Sequence, residues 1–290
     1  MTKKEYASTL IEALPYIKKF SGKTIVIKYG GSAQTDTELN KLFAEDIVLL
    51  KYIGINVVIV HGGGPQIAET LKKIGKKSEF IEGLRVTDEE TLDIVEMVLS
   101  GSTNKSIVRL INQQGGKAVG LSGSDAGLTK AMKITLIKES DGKKEEIDIG
   151  RVGKVNKINP QIIHYLTKGD YIPVIAPLGV DDDGNVFNIN ADEAAGAIAG
   201  SLEAEKFILL TDVQGILDKS GILIGSINKE EVQKLQEEDV IAGGMIPKTR
   251  ACLEALSGGV KKTHIIDGRT PHALLLEVFT DQGVGTEIIN

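Results

Sequence analysis

The feature that most constrains the fold of this chain is a short apolar run that passes directly into glycines, and it occurs twice. The first copy is residues 24–31 (TIVIKYGG), and the second is residues 56–65 (NVVIVHGGGP). Runs this short and this rich in Ile and Val are typical of buried strands, and helical patterns follow them at 37–53 and about 65–74. This alternation predicts an α/β fold, a three-layer αβα sandwich around a mainly parallel open sheet.

The rest of the chain continues the strand pattern with one interruption. At 130–152 the sequence becomes charge-rich and alternating around Asp141 and Gly142, which predicts a small antiparallel insertion, and 178–189 has the pattern of a polar hairpin. Further strands are predicted at 117–121, 171–175, 206–211, 263–266 and 285–288.

Capping residues and prolines mark the helices. Residues 4–19 have an amphipathic pattern that Pro15 is expected to kink. Thr87 opens a capping-box sequence (TDEE), and Asn190 precedes two acidic residues at the start of another helix. The remaining helices are predicted after residues 159–160 and from Pro247 to residue 257.

We expect two lobes, residues 1–177 and 178–290. Both glycine turns and the insertion fall in the first lobe, and a further strand–loop–helix set falls in the second. Ligands of open α/β sheets bind at the carboxyl ends of the strands, between two such halves.

Composition excludes several classes of protein. The 290 residues carry a formal net charge of −6 with acidic and basic residues interspersed, so no basic surface for nucleic acid is indicated. No apolar stretch approaches the length of about 20 residues that crosses a membrane. The single Cys252 excludes an intramolecular disulfide, and the four histidines are scattered without metal-ligand spacing. We therefore expect a cytoplasmic protein without a dedicated metal site.

The two glycine turns are consistent with binding a phosphate. Glycines let backbone N–H groups approach an anion, and a helix that starts after such a turn adds positive potential. Either turn alone could equally be a tight connection between a strand and a helix. The sequence has no G-x-x-x-x-G-K-[ST] or G-x-G-x-x-G motif, and no G-x-S-x-G nucleophile elbow follows the second turn.

Two lysines strengthen the phosphate interpretation. Lys28 ends an apolar strand, where a charge is costly unless it is paired; it either reaches solvent or anchors an anion. Lys248 lies just inside a predicted helix, where its charge opposes the helix dipole unless an anion is bound there. Asp192 is either a first-turn acid that favours the dipole or the group that orients both lysines.

These motifs resemble those of the amino acid kinase family, and within it the members that phosphorylate N-acetyl-L-glutamate. The matching runs occur in family order over nearly the whole chain: 27–31 (IKYGG), 58–65 (VIVHGGGP), 83–87 (GLRVT), 188–192 (NINAD), 210–216 (LTDVQGI) and 243–248 (GGMIPK). The first and fifth are shared by many members, whereas GLRVT together with NINAD is specific to the subfamily.

The resemblance implies transfer of phosphate from MgATP to the γ-carboxylate of N-acetyl-L-glutamate, a step towards arginine. By motif, Lys28 and Lys248 would stabilise the transferring group and Asp192 would position both. The acceptor would contact Gly63, Gly64, Arg85, Asn188 and Asn190. The nucleotide would contact Gly30, Gly31, Thr211, Asp212, Gly215, Ile216 and Leu217, and its phosphates would hold most of the Mg²⁺ coordination.

The resemblance also implies regulation by arginine. Members inhibited by arginine carry an additional kinked N-terminal helix that joins dimers into a hexamer, and residues 4–19 are similar to it. Tyr16, His264, Glu277 and Gly283 are the candidate arginine contacts. The alternative for residues 4–19 is an exposed amphipathic leader. A PII-type signalling protein is a further possible partner by the same resemblance.

Two alternatives compete with this function. The glycine turns are shared by other members of the family: aspartokinase, glutamate 5-kinase, carbamate kinase and UMP kinase. Membership in one of those groups would not predict Arg85 in its motif together with Asn188 and Asn190. A catalytically silent arginine sensor would not need both lysines and Asp192.

Overall fold

An eight-stranded, mainly parallel sheet forms the centre of the computed structural model, which describes residues 3–30, 34, 36–140, 143–280 and 283–290. The strands lie side by side in the order β12 (Ser226–Asn228), β14 (Gly285–Ile289), β13 (Lys262–Asp267), β11 (Lys206–Thr211), β1 (Thr24–Tyr29), β2 (Asn56–His61), β8 (Ile172–Ala176) and β5 (Ala118–Ser122). Only the β13–β14 pair of this sheet is antiparallel. The predicted strands are confirmed to within one residue at each end.

Successive side chains of each strand enter different cores, which produces the three layers. On β1, Val26 packs into one core and Ile25 and Ile27 into the other. The first core is completed by helices α6 (Gln161–Lys168), α7 (Ala191–Ser201), α8 (Lys229–Glu237) and α9 (Met245–Ser257). The second is completed by α1 (Lys3–Phe20), α2 (Thr37–Tyr52), α5 (Asn104–Gln113) and α10 (Ala273–Phe279). The predicted fold class is confirmed.

A small second sheet lies beside the first core. Strands β6 (Thr129–Ser140) and β7 (Lys143–Ile158) form the predicted antiparallel insertion, which is longer than the sequence pattern suggested. Together with β9 (Leu178–Val180) and β10 (Val186–Ile189), they form a small closed barrel with the strand order β10-β7-β6-β9. The turn at 141–142 lies outside the described residues. The division expected near residue 178 falls between β8 and β9 and stays a prediction.

A third group of elements covers the end of the sheet near the second glycine turn. It contains α3 (Gly64–Lys73), the short ribbon β3 (Phe80–Ile81) and β4 (Leu84–Arg85), and α4 (Glu89–Glu96). Helix α4 continues as a π-helical segment, Met97–Thr103, before α5 begins. The π-helical segment, helices α5, α8 and α10, and the short strands β3, β4 and β12 were not predicted. No helix in the described part of the chain is long and apolar enough to span a bilayer.

Two predicted helix starts are wrong. Asp88, not Thr87, caps α4, because the Asp88 carboxylate accepts the Thr91 N–H, while the Thr87 hydroxyl donates to Arg85 O at 2.7 Å. Helix α9 begins at Met245 rather than Pro247. A proline is accommodated throughout a first turn, since those N–H groups have no partner within the helix.

Candidate functional site

The two glycine turns face each other at the carboxyl ends of β1 and β2. The Gly62 N–H donates to Tyr29 O at 2.8 Å, and a Cβ atom on Gly62 would lie 3.7 Å from Gly30 Cα. A Cβ atom on Gly30 would lie 2.7 Å from Lys28 Nζ, so glycine at this position leaves room for the lysine amine. Gly31 lies outside the described residues.

The three predicted catalytic residues lie together. Lys28 Nζ lies 2.8 Å from one carboxylate oxygen of Asp192, and Lys248 Nζ lies 3.8 Å from the other. We call Lys28, Lys248 and Asp192 the two-lysine clamp. Asp192 is held at the first turn of α7, where the Asn190 side chain accepts the Asp192 N–H at 2.9 Å. The predicted roles of Asn190 as a cap and Asp192 as the shared partner agree with this geometry.

The charge state of the clamp follows from the environment of Asp192. Burial opposes ionisation of this carboxyl, but the positive charges of Lys28 and Lys248 outweigh it and hold the pKa of Asp192 below its usual value. With the carboxylate ionised and both amines charged, the clamp carries a net positive charge. It is therefore suited to an anionic group.

A cavity of about 310 Å³ opens beside the clamp. Its lining includes Gly63, Gly64, Arg85, Asn188 and Asn190, all predicted acceptor residues, together with Lys28 and Asp192. Lys248 is not part of this lining and reaches the site through Asp192.

Arg85 is fixed before any ligand binds. Its guanidinium donates to Gly64 O at 3.0 Å, contacts the Ser78 hydroxyl and lies 4.6 Å from the centre of the Phe80 ring. Burial lowers the pKa of Arg85, although a guanidinium stays charged at neutral pH. Asn188 donates to the Thr87 hydroxyl at 3.3 Å. The cavity thus presents an oriented cation and an oriented amide.

Apolar residues form much of the remaining wall, and the sequence did not identify them as site residues. They are Ile67, Phe80, Leu84, Leu99, Val152, Pro177 and Ile189. Leu84 had a signal, since it precedes Arg85 in the GLRVT motif. Leu99 had no such signal, because it belongs to the π-helical segment that the sequence did not predict. It packs against Gly63, where a Cβ atom would lie 2.5 Å from Leu99 Cδ2.

The predicted nucleotide segment 211–217 follows β11, which is paired with β1. Thr211 is buried and its hydroxyl donates to Val213 O at 3.0 Å, whereas Asp212 and Leu217 are exposed. A Cβ atom on Gly215 would lie 2.7 Å from the Thr286 hydroxyl, and the Ile216 side chain is buried in the first core. Their roles towards a nucleotide stay predictions. The described residues contain no cluster of three or more potential His, Cys, Asp or Glu metal ligands.

A second cavity, of about 550 Å³, contains all four predicted arginine contacts: Tyr16, His264, Glu277 and Gly283. Tyr16 of α1 packs edge to face on Phe279 of α10, with ring centres 6.5 Å apart. The sequence missed Lys206, whose Nζ lies 2.8 Å from Glu277 Oε1 and which also lines the cavity.

His264 and Glu277 form a buried pair. Their Nδ1 and Oε1 atoms are 2.8 Å apart, and burial lowers the pKa of His264, so the neutral imidazole donates to the carboxylate. Burial opposes ionisation of Glu277, but the hydrogen bond from His264 and the charge of Lys206 hold its pKa at about 2. His264 Nε2 is buried and has no hydrogen-bond partner within the described part of the chain.

Comparison with known proteins identifies relatives over nearly the whole chain. An acetylglutamate kinase from Geobacter metallireducens is 58% identical over 98% of this chain and 98% of its own length. A solved structure of N-acetylglutamate synthase from Neisseria gonorrhoeae, complexed with coenzyme A and N-acetyl-glutamate, has a TM-score of 0.85 at 29% identity; the match covers 98% of this chain but 63% of the synthase. The same synthase complexed with coenzyme A and L-arginine has a TM-score of 0.80 at 28% identity, over 98% of this chain and 65% of the synthase.

The family profile described as the amino acid kinase family matches residues 23–267, a range that contains the clamp, both glycine turns and the segment 211–217. This match and the full-length relatives lead to one conclusion: the chain is a kinase and belongs to the amino acid kinase family.

Proposed function

We propose that this kinase transfers the γ-phosphoryl group of MgATP to the γ-carboxylate of N-acetyl-L-glutamate, in arginine biosynthesis. The observation that carries the proposal is the placement of Arg85 and Asn188 in one cavity with the clamp residues Lys28 and Asp192. The kinase relatives at 58% identity support the same acceptor.

In this proposal the cavity selects the acceptor by charge and hydrogen bonding. Arg85 binds the α-carboxylate through two parallel N–H donors, and Asn188 binds the acetamido group, with Asn190 holding the adjacent turn. The apolar wall that includes Leu84 and Leu99 suits the methyl and methylene groups of N-acetylglutamate. Free glutamate or aspartate, which carry an ammonium group, would place a charge against Asn188 and this wall.

The clamp then supplies the chemistry. A γ-carboxylate has a pKa of about 4.3, so the nucleophile is already ionised at neutral pH and needs no general base. Bringing two anions together is the main barrier, and the net positive charge of Lys28, Lys248 and Asp192 offsets their repulsion in the transition state. Mg²⁺ bound to the nucleotide phosphates would add further positive charge to the transferring group.

We assign nucleotide binding mainly to residues 178–290, with the glycine turn that follows β1 completing the site beside the end of β11. Gly30, Gly31 and the segment from Thr211 to Leu217 would contact ATP there. We assign most of the acceptor site and dimerisation to residues 1–177, with Asn188 and Asn190 completing the acceptor cavity from the second lobe.

The direct test is ADP release measured with N-acetylglutamate, glutamate and aspartate in parallel. We expect turnover with N-acetylglutamate and less than about one hundredth of that kcat/KM with the free amino acids, because the cavity pairs an amide with the acylated nitrogen. No ADP release with N-acetylglutamate would overturn the proposal.

We also propose that L-arginine binds the second cavity and inhibits the reaction. The ionised Glu277, which lines this cavity, suits a guanidinium or an ammonium group. The synthase solved with L-arginine, which shares this fold at 28% identity, supports the proposal. Unchanged activity in millimolar arginine would contradict it.

A homodimer assembled into a hexamer, a cytoplasmic location and binding of a PII-type protein complete the proposal. Support for the hexamer comes from α1, where Leu10 and Ile11 are 72% and 68% exposed in the single chain. An uncovered apolar stripe of this kind favours contact with another subunit. The silent-sensor alternative leaves the intact clamp without a role.

A further inference from the structure

A buried polar pair lies behind the glycine segment 62–64, and the proposed reaction gives it no role. The pair consists of His61, at the end of β2, and Asn104, at the start of α5, and neither is exposed to solvent. Asn104 Nδ2 lies 3.1 Å from His61 Nε2, 2.9 Å from Val174 O and 3.3 Å from Leu121 O. One amide group therefore ties together three neighbouring strands, β2, β8 and β5.

The hydrogen bonds define which nitrogen of His61 carries the proton. An amide NH₂ group can only donate, so His61 Nε2 is the acceptor and the proton is on Nδ1. Nδ1 lies 2.8 Å from Gly62 O and donates to it. Burial lowers the pKa of His61 to about 4, so the ring stays neutral at physiological pH and keeps this orientation. Asn104 thereby acts on the Gly62 carbonyl through the imidazole.

Gly62 is hydrogen-bonded through both its N–H and its carbonyl, and these two bonds orient the backbone of Gly63 and Gly64. Its N–H donates to Tyr29 O at 2.8 Å, and its carbonyl accepts from His61. The carbonyls of Gly63 and Gly64 accept from Ile67 N and Arg85. The N–H groups of Gly63 and Gly64 donate to no acceptor among the described residues, and both glycines line the cavity beside Lys28. Two aimed, unused donors at a helix start suit an anionic oxygen.

The surroundings of Asn104 are shaped to hold its amide. A Cβ atom on Gly120 would lie 1.9 Å from Asn104 Oδ1, so glycine on β5 leaves the space that the amide fills. Lys105 Nζ donates to the same oxygen at 3.0 Å, which orients the NH₂ group towards His61. The π-helical segment Met97–Thr103 ends at Asn104, and such segments commonly place side chains at functional sites.

We propose that His61 and Asn104 are positioning residues for the phosphoryl-transfer step: through the Gly62 carbonyl, they hold the Gly63 and Gly64 N–H groups towards the oxygens that gain negative charge. The reaction in this statement rests on the proposed function, whereas the hydrogen-bond chain rests on geometry alone. Donors stabilise a transition state only when they are held in place beforehand. Loss of the pair therefore lowers kcat more than it weakens substrate binding.

The first test compares Asn104→Ala with Asn112→Ala in ADP release. Asn112 is on the same helix and also bonds β5, through the Ala118 N–H at 2.6 Å, but it does not contact the His61 network. We expect Asn104→Ala to lower kcat by roughly ten- to a hundredfold with acceptor KM within about threefold, and Asn112→Ala to keep kcat within about twofold. A His61→Ala, Asn104→Ala double variant should lose at most about threefold more than the worse single variant, because both act through one carbonyl.

A second variant keeps the test informative if Asn104→Ala does not fold. Lys105 is exposed, so Lys105→Met should fold while releasing the orientation of the Asn104 amide. The additional readout is the amide NMR signals of Gly62, Gly63 and Gly64 in the protein without substrates. We expect these signals to shift or broaden in Lys105→Met and Asn104→Ala and to stay unchanged in Asn112→Ala.

The outcomes separate the two proposals. Unchanged glycine signals in Lys105→Met and in any folded Asn104→Ala would overturn the positioning role, as would kcat within about twofold of wild type in both. A wild-type protein that fails to phosphorylate N-acetylglutamate would overturn the proposed function, and the glycine signals would still decide the positioning role.

Discussion

At the scale of single residues, the site depends on one carboxylate that two lysines share. Asp192 contacts Lys28 and Lys248, which are far apart in sequence and come from β1 and α9. A charge-assisted contact made in a transition state contributes about 3 kcal/mol, or roughly a hundredfold in rate. Each lysine is therefore expected to contribute on this scale to the rate of phosphoryl transfer.

We predict that Lys248→Ala lowers kcat by roughly a hundredfold and changes the acceptor KM by less than about threefold, because the lysine acts on the transferring group and does not line the acceptor cavity. Steady-state kinetics measure both. Lys234→Ala, an exposed lysine of α8, is the control and should match wild type. An unchanged kcat in Lys248→Ala would remove this lysine from the clamp.

His61 predicts a pH dependence of stability. Its pKa is about 4 in the fold and about 6.5 in the unfolded chain. As the pH falls below 6.5, the unfolded chain binds a proton that the folded chain excludes, so stability is lost until about pH 4. Between pH 7.5 and pH 5, this contributes about 2 kcal/mol of lost stability.

Urea unfolding at both pH values measures this contribution. His61→Gln should be less stable than wild type at pH 7.5, because it disturbs buried hydrogen bonds, but it should lose about 2 kcal/mol less on acidification. Parallel pH profiles for the two proteins would show that His61 is not buried in its neutral form.

At the scale of elements, the clamp depends on how α7 is attached to β7. Glu193 follows Asp192 in the first turn of α7, and its Oε1 accepts the Val155 N–H at 2.7 Å. This side chain joins the central part of the fold to the small sheet that carries Val152 of the cavity wall. Burial raises the pKa of Glu193, because it disfavours the charged form of this carboxyl.

We predict that Glu193→Ala costs about 1–2 kcal/mol in stability and lowers kcat severalfold, because it removes the acceptor for a backbone N–H and loosens the turn that holds Asp192. Glu193→Gln keeps an oxygen at the same place and should stay within about 0.5 kcal/mol of wild type. Thermal unfolding and kcat measure the pair. Equal losses in the two variants would assign the effect to charge instead of the hydrogen bond.

At the scale of the whole molecule, the two cavities lie in different parts of the fold. The first is at the ends of β1 and β2, and the second lies between α1, β13 and α10. Helix α1 contributes Tyr16 to the second cavity and leaves Leu10 and Ile11 exposed. In the proposed function, one helix therefore serves both assembly and arginine binding.

We predict that Leu10→Glu combined with Ile11→Glu converts a hexamer of 31.1 kDa chains into dimers, because charges replace the exposed apolar stripe. Light scattering coupled to size exclusion measures the mass. Ile222→Glu, at another exposed apolar residue, is the control and should remain hexameric. A wild-type protein that is already dimeric would exclude α1 as a hexamer contact.

The sequence alone determined most strands of the central sheet and most helices, and it predicted a phosphate site. These follow from short-range properties: apolar runs that end in glycine, helical periodicity and capping residues. Lys28 and Lys248 were singled out because a charge at a strand end, or a cation at a helix start, is costly without a partner. Asp192 was either a first-turn acid that favours the dipole or the group that orients both lysines, and the family resemblance implied the second. The cap at Thr87 was wrong because the neighbouring Asp88 carboxylate caps the helix instead. The start at Pro247 was wrong because a proline is accommodated throughout a first turn and does not mark its first residue.

Only the tertiary structure decided which distant residues meet. The strands β1, β2, β8 and β5 lie side by side in an order that differs from the chain order. That order brings Asn104 to His61, 43 residues away, and opens the space at Gly120 that the amide fills. It likewise places Lys206 against Glu277, 71 residues away. Such contacts depend on how strands and helices pack across the whole molecule, and no local pattern in the sequence specifies them.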